Sequence, residues 1–155
     1  MADSADKPGI IAPPPLIYGG GFLIALFLHW REPLAIFARP SVLWPGIGLV
    51  VLGLSLGIWG GRTLATAGTN VNPYRPSTMI VDSGPFRFSR NPLYVGMALV
   101  YIGLTLAFDT WWGFLLLVPV LIVMHLGVIR REERYLEGKF GESYRRYRAR
   151  VRRYL

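Results

Sequence analysis

"NPLYVGMALVYIGLTLAFDTWWGFLLLVPVLIVMHLGVI", residues 91–129, carries a single charge, Asp109. That charge divides the stretch into Asn91 to Phe108 and Thr110 to Ile129, each close to the roughly 20 residues of helix that cross a hydrocarbon core. Lipid offers no water to bond backbone N–H and C=O groups, so a crossing segment must satisfy them internally, as a helix does. Two further charge-free windows lie upstream, Pro8 to Trp30 and Pro40 to Gly61. The four windows predict an all-α membrane protein with four transmembrane helices, over about 14–30, 41–61, 91–108 and 110–130. An ordered cytoplasmic loop at 62–90 and a C-terminal amphipathic helix at 131–155 complete a single domain, 1–155.

Composition and charge agree with that reading. Of 155 residues, 52% are hydrophobic, which is high for a soluble domain of this size. There are no cysteines, which excludes disulfides, thiol nucleophiles, thiolate metal sites and palmitoylation. Met1 to Gly9 sets Asp3 and Asp6 against Lys7, so the first window lacks a positive leader and reads as a retained anchor. Ten of the seventeen Lys and Arg lie from Arg130 onward and four more between Arg62 and Arg90, whereas the first connection has only Arg31 and Arg39 and the last turn none. The positive-inside tendency therefore places the loop, the tail and both termini in the cytoplasm, in a multi-pass protein of a bacterial inner membrane. Trp30, Trp44, Trp111 and Trp112 mark the opposite interface. The basic excess points to anionic membrane lipid and not to nucleic acid.

Pro13, Pro14 and Pro15 place the start of the first span near Leu16, and Gly19, Gly20 and Gly21 would let another helix approach closely. The polar loop is too long to lack a purpose, and its "TMIVDSGPF" reads as an apolar run folded back on the membrane surface. In the tail, Leu136, Phe140, Tyr144, Tyr147, Val151 and Leu155 recur in steps of three and four. They predict one interfacial helix with its arginines toward anionic headgroups, bent at Gly138 and Gly141.

Two places carry chemistry. Asn91 before Pro92 is a helix start, with the asparagine side chain accepting from free backbone N–H groups and Arg90 alongside, a setting that also suits an anionic group. Glu132 and Glu133 follow the last span among Arg130, Arg131 and Arg134. Adjacent helical residues point about 100° apart, so one glutamate faces a pocket and the other pairs with arginine. If the last two spans pair through Asp109, both places share one membrane depth and fit a ligand bearing both signs of charge. Of the two histidines, His29 reads as an interface residue, while His125 lies within a span and is a candidate catalytic group.

These two places together resemble the isoprenylcysteine carboxyl methyltransferase and phospholipid N-methyltransferase family of integral membrane enzymes. The likeness runs from about Gly68 to Leu155. It rests first on Gly84, Phe86, Arg90, Asn91, Pro92, Tyr94 and Gly96, and then on Glu132, Glu133, Leu136, Phe140, Gly141, Tyr144, Tyr147 and Val151. The resemblance implies S-adenosyl-L-methionine as methyl donor. Thr78, Met79, Ile80 and Val81 would line its adenosine side, with Gly84 and Phe86 in the next turn. Arg90, Asn91, Pro92, Leu93 and Tyr94 would surround its methionine part, and Glu132 or Glu133 would reach its amino or ribose groups. The family commonly has histidine where this chain has Asn91, which keeps a hydrogen bond but cannot take up a proton. Val128 stands where some members carry a basic residue. No metal is implied. The expected activity is methyl transfer to an apolar or lipid-like acceptor entering from the bilayer. An intramembrane nicotinamide-dependent reductase and a non-enzymatic membrane anchor are the alternative readings.

Overall fold

A computed structural model describes residues 7–37, 43–72 and 74–155, and among them all regular structure is helical. The long elements are α1 (Pro14–Arg31), α2 (Leu43–Thr66), α3 (Pro92–Ala107) and a rod made of α4 (Trp111–Met124), a π-helical turn (His125–Ile129) and α5 (Arg130–Phe140). A short α6 (Glu142–Arg150) follows. By length and composition α2 and the rod are each able to cross a membrane, and α3 is a shorter apolar helix.

The helix ends differ from the sequence reading in ways that have plain causes. α1 begins at Pro14, before Leu16, because Pro14 and Pro15 occupy the first two helical positions, where a missing N–H costs nothing. α2 continues past Gly61 to Thr66 and carries Arg62 with it, since a helix need not stop where its apolar face does. The expected start of that span, at 41, lies outside the described residues, as do Arg39, Asp3 and Asp6.

α2 and α3 form the most intimate helix pair. Gly46 and Gly53 of α2 meet Gly103 and Gly96 of α3, and a Cβ on Gly96 would stand 2.7 Å from the Gly53 carbonyl oxygen. Lipid supplies no hydrophobic drive between apolar helices, so such close backbone approach is what holds them together. Of Gly19, Gly20 and Gly21, only Gly21 abuts a neighbour, the Val120 side chain of α4. α1 lies against α4, and Tyr18, Phe22, Tyr101, Leu117, Val120 and Met124 form the core between α1, α3 and α4.

The two ends of the bundle are built differently. At one end Asp109, with φ 49°, turns the chain between α3 and α4, and its Oδ1 accepts the backbone N–H groups of Ile36 and Phe37 at 3.0 Å each. At the other end lie the residues before α1, the loop and the tail. There Arg131 donates to the Gly9 carbonyl at 2.8 Å and the Ile11 N–H donates to that of Gly127.

The tail is not the single interfacial helix of the sequence reading. Gly141, with φ 53°, breaks it into α5 and α6, and residues 151–155 are not helical. Tyr144, Tyr147 and Val151 are buried against Ile80 of the loop and Leu136 and Phe140 of α5, so this part of the stripe packs within the protein, while Leu155 stays exposed. Tyr147 Oη fixes the contact by donating to the Phe86 carbonyl at 2.9 Å. Phe86 sits in a 3₁₀ turn, Gly84–Arg87, near the end of the loop.

Candidate functional site

The start of α3, the loop and α5 enclose a cavity of about 300 Å³. Its position follows from the hairpin at Asp109, which returns the rod beside α3 so that Tyr94 and Glu132 come to one level. Tyr94 Oη donates to Glu132 Oε1 at 2.7 Å. Both residues line the cavity, as do Arg90, Asn91, Glu133 and Phe86.

The two glutamates, adjacent in sequence, have opposite electrostatics. Glu133 is buried; Arg90 donates to its Oε1 at 2.7 Å, and Arg153 makes a two-pronged contact with Nη2 to Oε2 at 2.7 Å. Burial alone would raise its pKa, but the hydrogen bonds and charges of Arg153 and Arg90 prevail and hold it below the ordinary carboxylate range. Among the described residues no arginine pairs with Glu132. It also lies beyond the apolar part of the rod, half-buried in the cavity wall. Burial lifts its pKa to about 7, against the lowering effect of the Tyr94 hydrogen bond and with a smaller rise from the Glu133 charge. One carboxylate is thus neutralised in place, and the other is poised for a cationic ligand.

Arg90 is almost wholly engaged by the protein. Besides Glu133 it reaches the carbonyls of Arg148 and Val151, yet its buried Nε has no hydrogen-bond partner among the described residues.

Asn91 does not cap α3 through its side chain. Its amide nitrogen instead donates to the Arg153 carbonyl at 2.9 Å, and the Tyr94 and Val95 N–H groups bond the Asn91 carbonyl. The Arg90 N–H likewise donates to the Arg152 carbonyl, so the tail takes the contacts that the sequence reading gave to the helix start.

Met79, Ile80, Val81, Pro92 and Leu93 also line the cavity, whereas Thr78 and Gly84 do not. Thr78 ties the loop to itself through Thr69 and Gly68, and Gly84 rests on Thr63 and Trp59. His125 lies apart from the cavity, in a second, apolar one of about 610 Å³, where its Nδ1 is 2.7 Å from Tyr154 Oη. Tyr94 is the one residue that lines both. Sequence reasoning missed Asn70, Asn72, Tyr135 and Tyr144 in the cavity wall. The asparagines sit in the polar "GTNVN" run, a visible signal, but the inward turn of Tyr144 depends on the break at Gly141.

Among the described residues the regular structure is all helical, with two helices long and apolar enough to cross a membrane and an acid-bearing cavity at one end of the bundle. The phospholipid methyltransferase family model matches residues 42–143, which span α2, α3, the rod and the loop, and the chain belongs to that family of membrane methyltransferases. It is also 38% identical over 63 residues to an uncharacterized protein of Haemophilus influenzae, a match covering 41% of this chain and all of that protein. No solved structure matches the chain.

Proposed function

We propose that the protein is an S-adenosylmethionine-dependent methyltransferase that takes its donor from the cytoplasm and an apolar or lipid-like acceptor from the bilayer. α1, α2, α3 and the rod would make four crossings, with both termini, the loop and the tail on the cytoplasmic side. At 1.5 Å per residue α1 and α3 are about 27 and 24 Å long, near the roughly 30 Å of a hydrocarbon core.

The observation that carries this reading is the Tyr94–Glu132 contact in the wall of a cavity that Arg90 also lines. A methionine tail bears an ammonium and a carboxylate, and Glu132 and Arg90 offer one partner to each. The apolar side of the cavity, Met79, Ile80, Val81 and Phe86, suits a nucleoside. Bound there, S-adenosylmethionine would supply an electrophilic methyl on a sulfonium, which leaves as a neutral thioether. The chain's own task is then to orient the donor, to exclude water and to hold the acceptor in line. An amine acceptor would also have to lose a proton, and in this reading His125, in the adjoining cavity across Tyr94, would be the group to take it.

Isothermal titration of S-adenosylhomocysteine into the detergent-solubilised protein tests the reading. Binding that weakens at least tenfold in Glu132→Gln is expected. No binding at millimolar ligand would refute it.

A further inference from the structure

Residues 151–155 follow α6 without helix and run along the start of α3. The Arg90 N–H donates to the Arg152 carbonyl and the Asn91 side chain to that of Arg153, both at 2.9 Å. Ser89 Oγ donates to the same Arg153 carbonyl at 3.4 Å. Three consecutive residues before α3 thus grip the backbone from which the Arg153 side chain leaves. That side chain is spent on Glu133, with Nη2 to Oε2 at 2.7 Å and Nε to Oε1 at 3.0 Å, while Arg90 holds Oε1 from the other side.

Arg153 is not part of the wall of the first cavity, yet it governs the charge there. Among the described residues, the charged and titratable side chains of that wall are Arg90 and Tyr94 from α3, Glu132, Glu133 and Tyr135 from α5, and Tyr144 and Tyr147 from α6. The loop and the residues before α1 add none, and Tyr18 of α1 stands behind the wall, donating to the Tyr94 carbonyl. Two guanidiniums against the one carboxylate of Glu133 leave a net positive charge beside Glu132; without Arg153 the same group is neutral. The negative charge of Glu133 opposes ionisation of Glu132, and Arg153 offsets it.

We propose that Arg153 is a positioning residue for this cavity: from outside the wall it fixes and neutralises Glu133, which leaves Glu132 as the acid that ionises toward a cationic ligand. The identity of that ligand as the methyl donor rests on the methyltransferase reading; the control of Glu132 by Arg153 does not.

The test uses the full chain in detergent and two readouts. Without ligand, Glu132 is titrated through the infrared band of its protonated carboxyl, identified by its loss in Glu132→Gln. With ligand, the affinity for S-adenosylhomocysteine is followed from pH 6 to pH 9. Arg153→Gln should move the infrared midpoint up by about one pH unit, and so weaken binding about fivefold at pH 7 but less than about twofold at pH 9. Arg153→Lys keeps the charge and loses the two-pronged geometry, so its midpoint should stay within about 0.3 unit of the parent even where its melting temperature falls. A purely structural role would instead weaken binding equally at every pH and treat the two variants alike. An unmoved midpoint in Arg153→Gln, or a folded Arg153→Lys displaced by a full unit, would overturn the proposal; the second result decides alone if Arg153→Gln does not fold. Midpoints that move as expected in a protein that binds no S-adenosylhomocysteine would keep the control of Glu132 by Arg153 and overturn its service to that ligand.

Discussion

If Glu132 holds the ammonium of the proposed cofactor, its raised pKa makes binding dependent on pH, in a direction that can be stated in advance. With that carboxyl titrating at about 7, roughly one molecule in eleven is ionised at pH 6 and ten in eleven at pH 8. If the ionised form is the one that pairs with the ligand ammonium, the dissociation constant of S-adenosylhomocysteine should be about tenfold weaker at pH 6 than at pH 8, close to 1.4 kcal/mol. Near pH 7 binding should release about half a proton per ligand, measurable by titration calorimetry in buffers of different ionisation enthalpy. Stability without ligand should move the opposite way. A carboxyl whose folded pKa is raised favours the folded state below its ordinary value near 4.5, and that contribution is lost as pH rises through about 7. The ligand-free melting temperature should therefore fall across this window while the ligand-induced increment grows. Glu132→Gln should flatten both profiles. Affinity that is constant or declines from pH 6 to pH 8, with no proton released, would refute the role given to Glu132.

Other substitutions probe the surroundings. Tyr94→Phe removes a hydrogen bond that lowers the Glu132 pKa, so the pH profile of binding should shift to higher pH, read by the same calorimetry. Glu133→Gln leaves Arg90 and Arg153 facing each other without their carboxylate and should cost about 3–5 kcal/mol, seen as a lowered thermal midpoint in detergent. Because its folded pKa is depressed, the contribution of Glu133 is present above the ordinary carboxylate range and should disappear as pH falls below it. Gly96→Leu forces a side chain against the Gly53 carbonyl and should destabilise by about 1–3 kcal/mol or more, whereas Gly48→Leu should be nearly neutral in the same melt.

The helices were legible because composition and length alone decide where backbone can survive without water. That the start of α3 and Glu132 share one level was legible too, since a short turn at Asp109 leaves little freedom in how the last two long segments align; their direct link through Tyr94 was not. The inward face of the tail was not: its spacing of apolar residues fits a lipid surface and a protein surface equally well, and only the fold at Gly141 decides between them. Nor could the sequence say which glutamate was free. That depends on Arg153, twenty residues further on, reaching back across the α3 start. The seven-residue glycine spacing along α2 and again along α3 was written in the chain but is informative only when both helices are read together.

The π-helical turn at His125–Ile129 sets the phase of everything after it. Such a turn takes up one residue more than regular winding would. An unbroken α-helix through the same residues would rotate each later one by about 100°, into the direction its successor now holds. Glu132 would then point where Glu133 does, toward Arg90 and Arg153, and Arg131 would occupy the place beside Tyr94. The charge beside Tyr94 is thus fixed by winding one turn upstream, and a slip of a single residue there would put a base where the acid now stands.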